Sequence, residues 1–297
     1  MRFSFLFTLC FLLSNLTYGQ TTSTQIYLCE LFETEGKLSL TPPLNISNHK
    51  GYNNQPYFES DHLILYAGTR NGQTDIVQYN IDLGLENWIT DTPGSEYSPQ
   101  PIPNINNIAA VRLETNGEQF LAAYSTTNNL SSKLITTPIV GYYRWISQNE
   151  LISAILVDEG LSLAKHNLKK GTLDTLDTNI GRSLHLNPTS KENNSVQSEI
   201  TYISKKNSQS QIVSISLDGN NKSVICNTLS GSEDFCWDSK GNIVMGQGSS
   251  ILYYNPERKK TWTVIEDMSK FKLKNITRIA ISPSGQYLVF VAESEIN

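Results

Sequence analysis

Arg182, Glu233, Asp234 and Arg278 are the side chains of this 297-residue chain whose types and spacing best suit recognition or chemistry. Each stands three or four residues ahead of an apolar or aromatic anchor, the anchors being Phe58, Ile102, Trp145, Leu186, Trp237 and Ile281. The equivalent positions elsewhere hold Asn54 and Gln55, Ser98 and Pro99, Gly141 and Tyr142, Ser183 and Thr277, while Tyr52, Tyr97 and Tyr143 lie on adjacent stretches. A tyrosine-rich set of mixed charge suits recognition of a protein or peptide, because tyrosine offers a large contact area with a polar tip. The plainer alternative is that Arg182 and Arg278 pair with Glu233 and Asp234 and merely satisfy strand ends.

Two catalytic arrangements stand beside these. Glu233, Asp234 and Asn54 could converge on a divalent cation, the donor set of a metal-dependent hydrolase. Arg144, Arg182 and Arg278 could converge on a substrate carboxylate. The remaining signals run against catalysis. There is no Gly-x-Ser-x-Gly elbow. His49, His62, His166 and His185 fall in different segments without short metal-ligand spacing. No catalytic residue, metal ligand or cofactor is therefore expected, and the expected binding residues are Asn54, Tyr97, Tyr142, Tyr143, Arg182, Glu233, Asp234 and Arg278.

The elements that must position these residues follow from the anchors, which recur every 41 to 51 residues. Between anchors come a polar turn and then apolar, strand-like segments. In the first interval these are 56–58, 63–67, 75–80 and 86–90, with Asn71-Gly72 supplying turn chemistry. A repeat of this length made only of strands reads as a propeller blade. After Ile281 only 16 residues remain, enough for the end of an inner strand and one more strand. The missing outer strands are found at the other end of the chain, in Gln25-Ile26-Tyr27-Leu28-Cys29 and Lys37-Leu38-Ser39-Leu40. The expectation is an all-β, six-bladed propeller over 20–297 whose final blade pairs N-terminal with C-terminal strands, leaving no open sheet edge.

Residues 1–19, with Arg2 followed by an apolar run and Thr17-Tyr18-Gly19, read as a secretory signal peptide. That run is too short for a membrane span, and nothing later is longer, so a monomer in the periplasm or outside the cell is expected. Cys10 is preceded by Leu9 rather than a small residue, which argues against lipidation. The formal charge of −5 and the lack of Lys/Arg clusters exclude nucleic acid as a natural partner. Cys29, Cys226 and Cys236 are odd in number. Cys226 and Cys236 lie on strands at opposite edges of their blades, so all three are expected as buried small hydrophobes. The polar run 188–195 reads as a solvated loop.

Three stretches carry a family likeness: Asn54-Gln55-Pro56-Tyr57-Phe58 with Asp75-Ile76-Val77, then Trp237-Asp238-Ser239-Lys240-Gly241, and Ile281-Ser282-Pro283-Ser284-Gly285-Gln286-Tyr287-Leu288. They resemble the TolB-like six-bladed propellers built from PD40 repeats. Ile102-Pro103-Asn104 and Trp145-Ile146-Ser147 keep only fragments of the pattern. The resemblance implies a secreted or periplasmic scaffold without the helical domain that precedes the TolB propeller. Its expected function is non-catalytic binding of a protein, peptide or surface polymer. The competing expectation is a lactonase-like, divalent-metal-dependent hydrolase acting in the central channel.

Overall fold

The computed structural model describes residues 23–128, 130–189, 199–258 and 260–294. The leader segment 1–19 and most of the polar run 188–195 lie outside them. Among the described residues there are six antiparallel sheets, each with a path of four strands. Blade one comprises Asn54–Phe58, Leu63–Arg70, Gln73–Asn80 and Leu85–Trp88. Blades two to five occupy Ser95–Ile135, Val140–Thr178, Ile180–Asn227 and Phe235–Asp267 in the same manner. Each innermost strand touches the innermost strand of the next blade, and Leu273–Ile281 of blade six touches Asn54–Phe58 of blade one, so the ring closes around a central channel.

Blade six is assembled from both ends of the chain. Its order from the channel outward is Leu273–Ile281, Tyr287–Ser294, Gln25–Thr34 and Lys37–Leu40. The joint is a continuous ladder in which Ile26 faces Val291 and Leu28 faces Val289. All four of those side chains are buried. The outermost strand breaks at Thr41-Pro42-Pro43 and resumes as Leu44–Asn45 against Tyr27 and Leu28. The break has a local cause, since neither proline has an N–H to give the ladder.

The core is divided as the repeat requires. Six apolar clusters were found among the described residues, and each lies between two neighbouring blades. The residues alternate along each strand, so one blade face packs forward and the other backward. Cys29, Cys226 and Cys236 are free thiols inside these clusters, as expected for small hydrophobes. Burial pushes Cys29 and Cys226 up to about 12, which keeps both as neutral, inert thiols.

One departure from a regular propeller bears on the channel. The innermost strands are bulged: the pairing register slips between Asn54 and Tyr57, Tyr97 and Gln100, Ile180 and Leu184, and Thr277 and Ala280. At three of these slips a residue other than glycine takes a left-handed backbone, with φ of 57° at Gln55, 53° at Ser98 and 48° at Arg278. A bulge adds a residue on one side of the ladder and re-aims its side chain. Held in a sparsely populated region, these residues mark places where the surroundings over-determine the backbone. Gln55, Ser98 and Arg278 all line the channel.

Candidate functional site at the channel

Where the inner strands begin, the bulges and strand starts bring side chains from all six blades towards one axis. On one side Gln55 Oε1 accepts the Ser98 backbone N–H at 2.7 Å, linking blades one and two. On the other, Asp234 of blade five accepts from Arg182 of blade four through Nε at 2.9 Å and Nη2 at 2.5 Å. Arg278 of blade six approaches the same carboxylate, with Nη1 3.5 Å from Oδ1. The Arg278 guanidinium also reaches across the channel to blade three. It lies 4.9 Å from the Tyr142 ring centroid and donates to the Tyr142 hydroxyl at 3.3 Å.

In this cluster one carboxylate serves two guanidiniums. Burial alone would raise the Asp234 carboxyl, but Arg278 and Arg182 hold it below the usual carboxylate range. Burial likewise opposes the charge on Arg182, yet Asp234 raises its pKa further. A buried carboxylate shared by two guanidiniums, one of them as a two-pronged fork, is the arrangement that makes a desolvated charge tolerable. Glu233 stands outside this core, 42% exposed, where Lys205 pairs with it and Arg182 lies 4.0 Å away. Tyr52 and Tyr97 form an edge-to-face pair with ring centres 5.9 Å apart. Tyr52 feels Arg278 and Tyr142 as neighbours, and burial pushes its phenol up to about 12, so it remains a neutral hydrogen-bonding group.

The expected site residues thus separate. Arg182, Glu233, Asp234, Arg278 and Tyr142 are brought together, and Tyr97 joins them through Tyr52. Tyr143 is turned the other way: it is buried, and its hydroxyl donates to the Ala109 carbonyl of blade two at 2.7 Å. Asn54 is also buried, and its amide donates to Thr24 Oγ1 at 3.3 Å. Glu233, Asp234 and Asn54 therefore do not converge as a cation site would need. No group of three His, Cys, Asp or Glu able to hold a metal occurs among the described residues.

This layer lines one end of a channel cavity of about 500 Å³, which extends towards the turns that join first and second strands, where Glu59, Pro188, Asp238 and Pro283 lie. Inside it are two features that sequence spacing did not bring out. Arg144 of blade three crosses to blade one, its guanidinium carbon 4.9 Å from the Tyr57 ring centroid. His185 Nε2 lies 3.1 Å from Ser183 Oγ, a serine–histidine pair in a channel. That pair is poorly suited to nucleophilic catalysis. Burial, followed by the nearby Arg144 charge, pulls His185 down to about 3, far from the near-neutral value a general base needs. Ser183 Oγ is already engaged by the carbonyl and N–H of Phe235 at 3.1 and 3.2 Å, which knits blades four and five.

Comparisons with known proteins agree on the scaffold alone. No family model matches the sequence and no curated protein matches it, so the PD40 part of the resemblance is not confirmed. Among solved structures, a putative TolB from Agrobacterium tumefaciens superposes with a TM-score of 0.67 at 12% identity, covering 91% of this chain and 98% of that one. TolB from Acinetobacter baumannii gives 0.57 at 11% identity over 91% of this chain; the chain spans 64% of that protein. A gluconolactonase from Xanthomonas campestris gives 0.59 at 9% identity, covering 93% and 99%. One scaffold thus carries both TolB proteins and an enzyme, and function has to be argued from the site. The chain has the fold of a TolB-like six-bladed β-propeller.

Proposed function

We infer that the protein is an exported, non-catalytic binding module that presents the mouth of its propeller channel to a protein or peptide. The observation that carries this reading is the composition of the mouth. Tyr52, Tyr97 and Tyr142 are only partly covered, and they gather around an Arg182–Asp234–Arg278 cluster in which one carboxylate serves two guanidiniums. Rigid phenols beside guanidiniums give contact area and directed hydrogen bonds at a small entropic cost, the chemistry of protein-binding hot spots. No step of bond cleavage is offered by the same groups. The Asp234 carboxylate is held by Arg182 and Arg278, and Arg278 is engaged by the Tyr142 hydroxyl as well. Export rests on the leader-like residues 1–19, and no helix among the described residues is long and apolar enough to cross a membrane.

The test is a paired capture experiment. Tyr97→Ala with Tyr142→Ala should lose at least tenfold in partner capture from the producing cell, while the melting temperature of the purified protein stays close to the parent's. Undiminished capture by the double variant would move the binding face elsewhere.

A further inference from the structure

The channel cavity holds a guanidinium that has no ion-pair partner among the described residues. Arg144 is half-buried, and its guanidinium stacks on Tyr57 across the channel. Among the described residues no carboxylate lies within ion-pair distance of it. Two carboxylates do line the same cavity, but both are committed at its turn end. Glu59 accepts from the Gln78 amide at 2.6 Å, and Asp238 accepts from the Asn242 amide and from the backbone of Lys240 and Asn242. Arg182 and Arg278 share the single carboxylate of Asp234, so the mouth side of the cavity also carries a surplus of positive charge. Arg144 thus has no carboxylate of its own, and its charge adds to burial, the larger cause, in pulling His185 down to about 3.

The walls around it are those of a small-molecule site. Tyr57 and Trp237 supply aromatic surface, and the volume of about 500 Å³ is within the range of ligand pockets. Gln100 also lines this cavity. Its amide nitrogen donates to the Tyr143 carbonyl at 2.6 Å, which fixes its orientation, and its Oε1 is buried without a donor. A buried acceptor left unpaired costs free energy, which a ligand hydroxyl would recover once a small shift of the Gln100 side chain opened Oε1 to the cavity. A stacked guanidinium has its planar face occupied and its edge donors free, the geometry that grips a carboxylate with two hydrogen bonds.

We propose that this cavity is a binding site for a small organic carboxylate, held by Arg144 against Tyr57. The cavity is continuous with the mouth, whose Tyr142, Arg182, Asp234 and Arg278 share its lining, but the proposal goes beyond the protein-binding reading, which survives or fails on its own test. Carboxylates from two sources fit: aromatic acids using Tyr57 and Trp237, and hydroxy acids using Gln100 Oε1.

Calorimetric titration of the purified protein with benzoate and with lactate, each against its methyl ester, separates them. At least one acid should bind with a dissociation constant on the order of 1 mM or tighter, and its ester at least tenfold more weakly. Benzoate alone binding assigns the aromatic source, lactate alone the hydroxy acid. Arg144→Gln should weaken the acid tenfold or more, and Arg144→Lys should fall between, because it keeps the charge and loses the fork. Should Arg144→Gln fail to fold, the lysine variant and the ester comparison carry the same decision. Equal binding of acid and ester, full affinity in the Arg144 variants, or no binding of either acid would overturn the proposal.

Discussion

Replacing Arg182 by Ala isolates the energetic role of the cluster at the mouth. Asp234 has 8% of its side chain exposed and draws two short hydrogen bonds from Arg182, whereas Arg278 stands 3.5 Å away. Removing one partner of a buried ion pair costs about 3–5 kcal/mol, because the remaining charge is left desolvated. Arg278 still faces Asp234, so the lower figure, about 3 kcal/mol, is expected. For a chain of this size each kcal/mol moves the melting temperature by roughly 2–4 °C, so the midpoint should drop by about 6 °C or more. Thermal melts of Arg182→Ala, Asp234→Ala and the double variant form a cycle. The double variant should be more stable than the sum of the two singles implies, since it leaves no lone buried carboxylate. A shift under about 1 °C for Arg182→Ala, or strictly additive losses, would show that solvent screens the pair and that the mouth is not a consolidated cluster.

Deleting residues 1–45 removes the two outer strands of blade six, including the buried Ile26, Leu28, Leu38 and Leu40. At roughly 1.5–3 kcal/mol for each such side chain, the loss approaches the whole 5–15 kcal/mol margin of a typical domain, and the product should aggregate. A monomeric truncation with an unshifted melting temperature by light scattering and calorimetry would refute the chain closure. His166 is buried against Ser153 Oγ at 2.7 Å, and burial pulls it down to about 4. A depressed histidine favours folding while neutral, so its contribution is complete above the unfolded value near 6.5 and is lost as pH falls from there towards 4. It should remove about 2 kcal/mol between pH 7 and 5. Urea titrations should show this loss in the parent and a flatter profile in His166→Gln, and equal slopes in both would contradict it. Gln55→Gly, which relieves a left-handed φ of 57°, should leave stability within about 1 kcal/mol but break the link to Ser98; loss of folding would place the strain elsewhere.

The ring was legible in the sequence because its causes are local and repeated. The anchors from Phe58 to Ile281 recur with each blade, and Ile26 to Cys29 has the alternation of a third strand without a first or second before it. That deficit predicted the ladder from Ile26 to Val291. The site was legible as a set of positions but not as contacts. Tyr142 and Tyr143 differ by one residue and face opposite ways, and which one faces the channel depends on the register slip between Val140 and Tyr142. Arg278 meets Tyr142 across 136 residues of sequence because a bulge turns its backbone left-handed. Arg278 carries no glycine-like signature, so its strain is invisible without neighbours to impose it. The pairing of Arg144 with Tyr57 crosses the ring in the same way, and no spacing rule links blades three and one.

The claim that the mouth is the working face is tested most directly by cross-linking in the producing cell. A photoreactive amino acid placed at position 97, beside Tyr52, and at position 224, exposed on the outer strand of blade four, reports the two surfaces separately. On irradiation, position 97 should give a discrete heavier adduct that position 224 does not. Adducts only from position 224, or none from position 97, would contradict the account.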